Sequence, residues 1–212
     1  MNNLQKRILT SVIIFPAAIF FIIMGGNYIV SFLYAVLILG NFEVFSVFKR
    51  KSSIIFLDLI LVLSLLSILH LRNDTVASFV LLIWVIILTI SSDVGGYVFG
   101  KLFKWKKLTK ISPKKTISGV LGSFIFSLGS VFLLGIFIQL YAGLDIEIFE
   151  KPRYYFLAII FSLAAQLGDL CISYFKRIEK IKDTGKILPG HGGIFDRIDG
   201  LMFVVILAYI FY

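Results

Sequence analysis

The feature that most constrains this chain is a succession of apolar runs, at approximately 8–24, 28–48, 54–70, 75–92, 117–141, 154–175 and 198–212. Most reach the roughly 17 to 25 residues that a helix needs to cross hydrocarbon. Only helices satisfy every backbone polar group within one such segment, so the runs predict a polytopic bundle of about seven transmembrane helices, an all-α integral membrane protein. The last run is the weakest, its unbroken apolar part covering only Leu201 to Tyr212. Composition agrees: 16% of the 212 residues are charged, against about a quarter in ordinary soluble domains. The first run follows Lys6-Arg7 with no small-x-small cleavage pattern before Gly25-Gly26, so it is read as a retained helix, and Pro16 within it is tolerable in a membrane span.

Orientation follows from the 21 Lys and Arg residues. Alternating loops of the seven-helix arrangement place 18 of them on one side and only Arg72, Lys151 and Arg153 on the other. The rule that basic loops stay inside puts the N-terminus and the basic loops in the cytoplasm, in the inner membrane if the source is a bacterium. The net charge of +9 is then a face for anionic lipid and anionic substrates, with no nucleic acid implied. The single cysteine, Cys171, excludes an intramolecular disulfide. Without linker or convincing repeat, residues 1–212 are read as one membrane-embedded domain.

Ionised groups in hydrocarbon are costly and usually face a bundle interior or wet cavity. Glu43, Asp58, Asp93 and Asp169 lie within or beside the spans, all toward the basic side. For Glu43 and Asp58 the plainer role of cap, anchor or lysine partner is favoured; Asp93 and Asp169 stand beside further polar signals. The most concentrated of these is ILPGHGGIFDRIDG, residues 187–200. Its glycines, Gly190, Gly192 and Gly193, allow backbone amides to close around an anion, and His191 adds a donor; a plain turn is the competing reading. Asp196 and Asp199, with Arg197 between them, share a face if a helix starts near Ile194. With Asp169 they would suit Mg²⁺, a hard cation that takes one or two carboxylates and completes its shell with water and phosphate oxygens.

Upstream, GDLCISYFKRIEKIKD (168–183) supplies Lys176, Arg177 and Lys182 at the same edge, with Asp183 interleaved; the positive-inside bias would also place bases there. Between residues 91 and 119, a basic stretch from Lys101 to Lys110 carries Leu102, Phe103, Trp105 and Leu108, as expected of a segment resting on an anionic membrane surface. ISPKKT follows, where Pro113 sets a turn before Lys114, Lys115 and Thr116, fit to hold polyphosphate or simply to start the next helix. A polyphosphate, a divalent metal and a lipid-facing cavity fit these elements together, because phosphoryl-type transfer asks chiefly for positioning and charge neutralisation.

Ser173-x-x-Lys176-Arg177, Lys182-Asp183-x-Gly185, Leu188-Pro189-Gly190-His191-Gly192-Gly193 and Asp196-Arg197-x-Asp199 resemble, in order and spacing, the signature of the phosphatidate cytidylyltransferase family, the CDP-diglyceride synthases. Gln166-x-Gly168-Asp169-Leu170, Asp93-x-x-x-Tyr97-x-x-Gly100 and Ser112-Pro113-Lys114-Lys115-Thr116 reinforce it, so that the detailed similarity covers 91–200, the expected catalytic part. Gly96, Ile172 and Gly200 stand where the family often has alanine, glutamate and serine.

The resemblance implies transfer of a cytidylyl group from CTP to phosphatidic acid with Mg²⁺ as cofactor, in phospholipid biosynthesis, and suggests a homodimer. It makes Asp169 and Asp196 the leading metal ligands with Asp93 beside them. Asp183 and Asp199 become supporting acids, and Lys176, Arg177, His191 and Arg197 further catalytic candidates. Lys114, Lys115, Thr116, Ser173, Lys182, Gly190, Gly192 and Gly193 fall to substrate binding. A CDP-alcohol phosphotransferase would show an Asp-Gly-x-x-Ala-Arg run that is missing here. A proton- or cation-coupled transporter would spread its polar residues through the membrane depth.

Overall fold

The computed structural model describes residues 3–109, 111–137 and 151–212. Among the described residues seven helices follow one another: α1 (Asn3–Met24), α2 (Gly26–Val47), α3 (Lys51–Asn73), α4 (Val76–Phe103), α5 (Ile117–Phe137), α6 (Pro152–Ile178) and α7 (Phe195–Phe211). Helices α2 to α6 are long and apolar enough to span a membrane; Leu9–Met24 of α1 is a shorter apolar helix, and α7 has 17 residues. Leu, Ile, Val and Phe run continuously along them, and outward faces such as Ile13, Phe20, Ile38, Phe42 and Ile55 stay exposed, as in a bundle whose solvent is lipid. The part of the fifth apolar run beyond Phe137 lies outside the described residues.

The sharp turn between α1 and α2 is made by Gly25 and Gly26, both at positive φ. Arg72 at the end of α3 donates from Nη2 to the Ile23 carbonyl at 2.6 Å and from Nε to that of Ile22, and so caps the C-terminus of α1. Thr75 opens α4 with a capping box closed by Ser78.

Helix α4 is longer than its apolar run. It continues through SSDVGGYVFGKLF to Phe103, carrying Asp93 inside the helix. The glycines that weaken this stretch as an isolated helix are what let α5 approach it: a methyl group on Gly95 would meet the Gly122 carbonyl, and one on Gly119 would meet the Gly96 carbonyl at 2.9 Å. A small-residue face is thus used within the chain.

Two apolar clusters fill the bundle. Leu82, Trp84, Val85 and Leu88 of α4 pack with Leu157, Ala158 and Phe161 of α6 and with Val204, Val205 and Ala208 of α7. Ile29, Leu33 and Val44 of α2 pack with Leu57 and Leu61 of α3, Ile172 of α6, and Phe195 and Met202 of α7. Helix α7 belongs to both, so its first turn sits where the two halves of the molecule meet.

Candidate active site

Asp93 in α4 and Asp169 in α6 each lie about 26 Å along their helices from an N-terminus on the same side, taking 1.5 Å per residue. They reach a common depth, near the end of the bundle that carries the basic loops. Asp169 Oδ2 is 2.6 Å from Lys115 Nζ, and Ser173, one turn later, donates to Asp169 Oδ1 at 3.3 Å. Asp93 and Asp199 both feel the charge of Asp169, and Asp93 that of Lys115. One group therefore comprises Asp93, Asp169, Asp199, Lys115 and Ser173. Lys115 is oriented by a second contact, from Nζ to the Gln166 carbonyl at 3.1 Å. Gln166 Nε2 reaches Ser162 Oγ at 3.4 Å, Ser162 meets Ser92 at 2.8 Å, and Ser123 donates to the Ser92 carbonyl. This polar seam locks α4, α5 and α6 beneath the lysine.

Asp196 faces other partners. Lys176 Nζ donates to its Oδ1 at 2.8 Å, and the N–H groups of Thr184 and Gly193 donate to Oδ2 at 2.8 and 3.0 Å. Lys176 is 8% exposed, so this is a desolvated pair rather than a surface one. Asp196 precedes the apolar run that starts at residue 198. Burial by itself would lift its carboxyl, but the bond from Lys176 and those from Gly193 and Thr184 hold it below the usual carboxylate range.

The glycine loop closes on itself. Leu188 and Gly192 form a bridge, and the His191 and Gly192 N–H groups donate to the Leu188 carbonyl. Gly190 and Gly192 take φ of +78° and +95°, as such a tight turn requires. Arg197 grips the His191 carbonyl at 2.7 Å. Helix α1 rests on the loop, through Thr10 Oγ1 to the Pro189 carbonyl at 2.8 Å and Ser11 Oγ beside His191 Nε2 at 3.3 Å.

The expectation that this loop's amides surround an anion is met by groups of the chain itself. The Gly193 N–H serves Asp196, while those of Ile194 and Phe195 serve the Glu43 carboxylate of α2, at 2.6 and 3.2 Å. Thr184 Oγ1 also donates to Glu43. Glu43 is 1% exposed and Thr184 fully buried.

Thr116 Oγ1 accepts from the Gly119 N–H and so caps α5, the simpler of its two sequence readings. Arg177 donates to the Ile111 and Ile181 carbonyls, tying the 106–117 loop to the end of α6. Lys114, Arg177, Lys182, Asp183 and Arg197 are exposed. The arrangement sets an exposed carboxylate, Asp93, and two half-buried ones, Asp169 and Asp199, around Lys115 toward one end of the bundle, with a rim of cations above. Such a site can neutralise a polyphosphate while a lipid approaches from the side.

Sequence reasoning named the carboxylates, the lysines and the loop, but it missed Glu43 as part of this construction and missed Gln166 and the serine seam as the support of Lys115. The only signal for Glu43 was its depth in an apolar run.

Comparison with known proteins bears on these same residues. The phosphatidate cytidylyltransferase of Staphylococcus saprophyticus is 43% identical over 120 residues, which are 56% of this chain and 44% of that protein. That of Helicobacter pylori strain 26695 is 38% identical over 128 residues, 58% of this chain and 44% of its own length. That of Brucella suis is 33% identical over 149 residues, 70% and 52%. The matched segments thus span about half the length of these relatives. The model of the cytidylyltransferase family matches residues 52–212, which take in α3 to α7, both carboxylate groups and the whole glycine loop. On that match the chain belongs to the cytidylyltransferase family.

Proposed function

We propose that the chain is a phosphatidate cytidylyltransferase, transferring the cytidylyl group of CTP to phosphatidic acid to give CDP-diacylglycerol and pyrophosphate. The observation that carries the reading is the gathering of Asp93, Asp169, Asp199 and Lys115 at one depth, beneath exposed Lys114, Arg177 and Lys182, in a member of this family whose relatives bear that name.

A phosphate oxygen of the lipid attacks the α-phosphorus of CTP; the bond from that phosphorus to the oxygen bridging to the β-phosphate breaks, and pyrophosphate leaves. Charge builds on the leaving group, so cations near it lower the barrier. Lys182 and Lys114 are exposed at the rim to take the polyphosphate, and Arg177, exposed beside them, is held in place by its bonds to the Ile111 and Ile181 carbonyls. Lys115, at the mouth of the seam, faces the reacting phosphates, and its ammonium balances Asp169 until they arrive. Lys176 has a different task from direct phosphate contact, since it fixes Asp196 and with it the start of α7.

The carboxylate oxygens of Asp93, Asp169 and Asp199 are the donor type that Mg²⁺ takes, and Asp196 stands at the adjoining first turn of α7. Among the described residues no three acidic, His or Cys side chains form a ready-made metal cluster, so water and substrate oxygens would have to complete the shell of a cation held there. Bound there, Mg²⁺ would neutralise the polyphosphate and polarise the α-phosphoryl group. The basic loops and the signature face the cytoplasm, where CTP is, in the inner membrane of a bacterium, and the lipid enters sideways between helices.

The test is turnover by the purified chain with CTP and phosphatidic acid, with and without Mg²⁺. The expected result is metal-dependent CDP-diacylglycerol formation that falls by at least about a hundredfold in Asp169→Asn, because this carboxylate would hold the cation that meets the developing charge. No product from folded wild-type protein in lipid sinks the assignment.

A further inference from the structure

Glu43 is the most deeply buried acidic side chain among the described residues; it lies away from the Asp93, Asp169 and Asp199 group and shares Thr184 with Asp196. Its carboxylate lies under the start of α7, a helix whose N-cap residue, Ile194, offers no side-chain cap. The N–H groups of Ile194 and Phe195, which would otherwise be orphaned, donate to Glu43 Oε2 and Oε1, and Thr184 Oγ1 adds a third donor. A negative charge at a helix N-terminus is favoured by the helix dipole as well as by these bonds. Two signature glycines are shaped around it. A Cβ on Gly193 would collide with Glu43 and Thr184, and one on Gly185 would come within 3.0 Å of the Glu43 side chain. Thr184 in turn presents its N–H to Asp196 at 2.8 Å, so the carboxylate from α2 and the Lys176–Asp196 pair grip the same loop from two sides. Residues 184–195 are thereby held against α2, which lies outside the residues that the family model matches.

We propose that Glu43 is a positioning residue for the active site: its buried carboxylate fixes the 184–195 loop and the first turn of α7, and so fixes where Asp196 and the exposed Arg197 stand relative to the nucleotide. The inference rests on the cytidylyl-transfer reading for its consequence in turnover, but not for its geometry.

Both parts are tested with Glu43→Ala and Glu43→Gln in the full chain, in lipid nanodiscs. Backbone amide exchange of residues 184–196 is expected to speed up about tenfold or more in Glu43→Ala, as three donors lose their acceptor, while α4 and α5 exchange as before. Glu43→Gln keeps one acceptor oxygen and falls between. With CTP and phosphatidic acid, the KM for CTP rises and that for the lipid does not. Glu179→Ala is the control, since Glu179 also joins helices, accepting from the Arg50 N–H and from Ser53 Oγ; it should lower thermal stability without moving the KM for CTP. Unchanged exchange in 184–196, or faster exchange spread evenly over the chain, overturns the proposal. Local loosening with both KM values unmoved overturns it too, because the loop would then be held to no catalytic purpose. If the wild type turns over nothing, the functional reading fails while the exchange experiment still decides whether Glu43 holds the loop.

Discussion

At Gly193 a single hydrogen decides whether the site can close. Its N–H belongs to Asp196, and the space that a side chain would fill is taken by Glu43 and Thr184. Gly193→Ala must push a buried carboxylate off its donors, and the expected cost is about 1–3 kcal/mol for the groups left unsatisfied. It would be read as a lower midpoint of thermal unfolding in detergent. Gly129→Ala, where nothing lies within 4 Å of the added carbon, should leave the midpoint in place or raise it slightly, since alanine is the better helix former. The residue types were legible in the sequence here: glycine, aspartate and lysine at these spacings announced an anion and a cation in close company. Which anion was not. Glu43 is 152 positions from Phe195 in a different apolar run, and only tertiary contact reveals that it, rather than a phosphate, takes the amides at the start of α7.

Among the elements, the hydrophobic runs located each of the described helices, because spanning length is set by the bilayer and not by neighbours. Boundaries were legible only where hydropathy changes. The apolar run alone therefore places the end of α4 near residue 92, whereas its 28 residues extend about 42 Å against a hydrocarbon core of about 30 Å. What carries it onward is α5, which buries Gly95 and Gly96, a reason that single-segment periodicity cannot contain. Gly122→Leu, which would wedge α4 from α5, should abolish the folded chain or displace Asp93, measured as loss of a monodisperse peak in detergent. Helix α1 is held differently, by Arg72 at one end and by Thr10 and Ser11 at the other. Arg72→Ala should speed amide exchange in residues 18–25 several-fold, the loss of charged hydrogen bonds at a helix end being worth roughly 1.5 kcal/mol or more, without altering exchange in α6.

For the molecule as a whole, the chemistry gathers at one end, and the opposite end is closed by structural clasps. Arg72 and the Thr75–Tyr212 hydroxyl contact close the end away from the glycine loop. This polarity was legible in the charge distribution, since 18 of the 21 basic residues fall to one set of loops. A cysteine at Lys106 in a Cys171→Ser background should react with a membrane-impermeant maleimide only after the cells are opened, and one at Arg72's neighbour Asn73 in intact cells. Labelling at Lys106 from outside would invert the assigned orientation.

The reach of Glu43 across the bundle also bears on how such a chain can change over time. The stretch ahead of residue 52 looks like mere hydrophobic padding, interchangeable with any other pair of spanning helices. It is not interchangeable. A hybrid that borrows this stretch from another member would leave the amides at the start of α7 without their acceptor unless it brought an acidic side chain to the matching height.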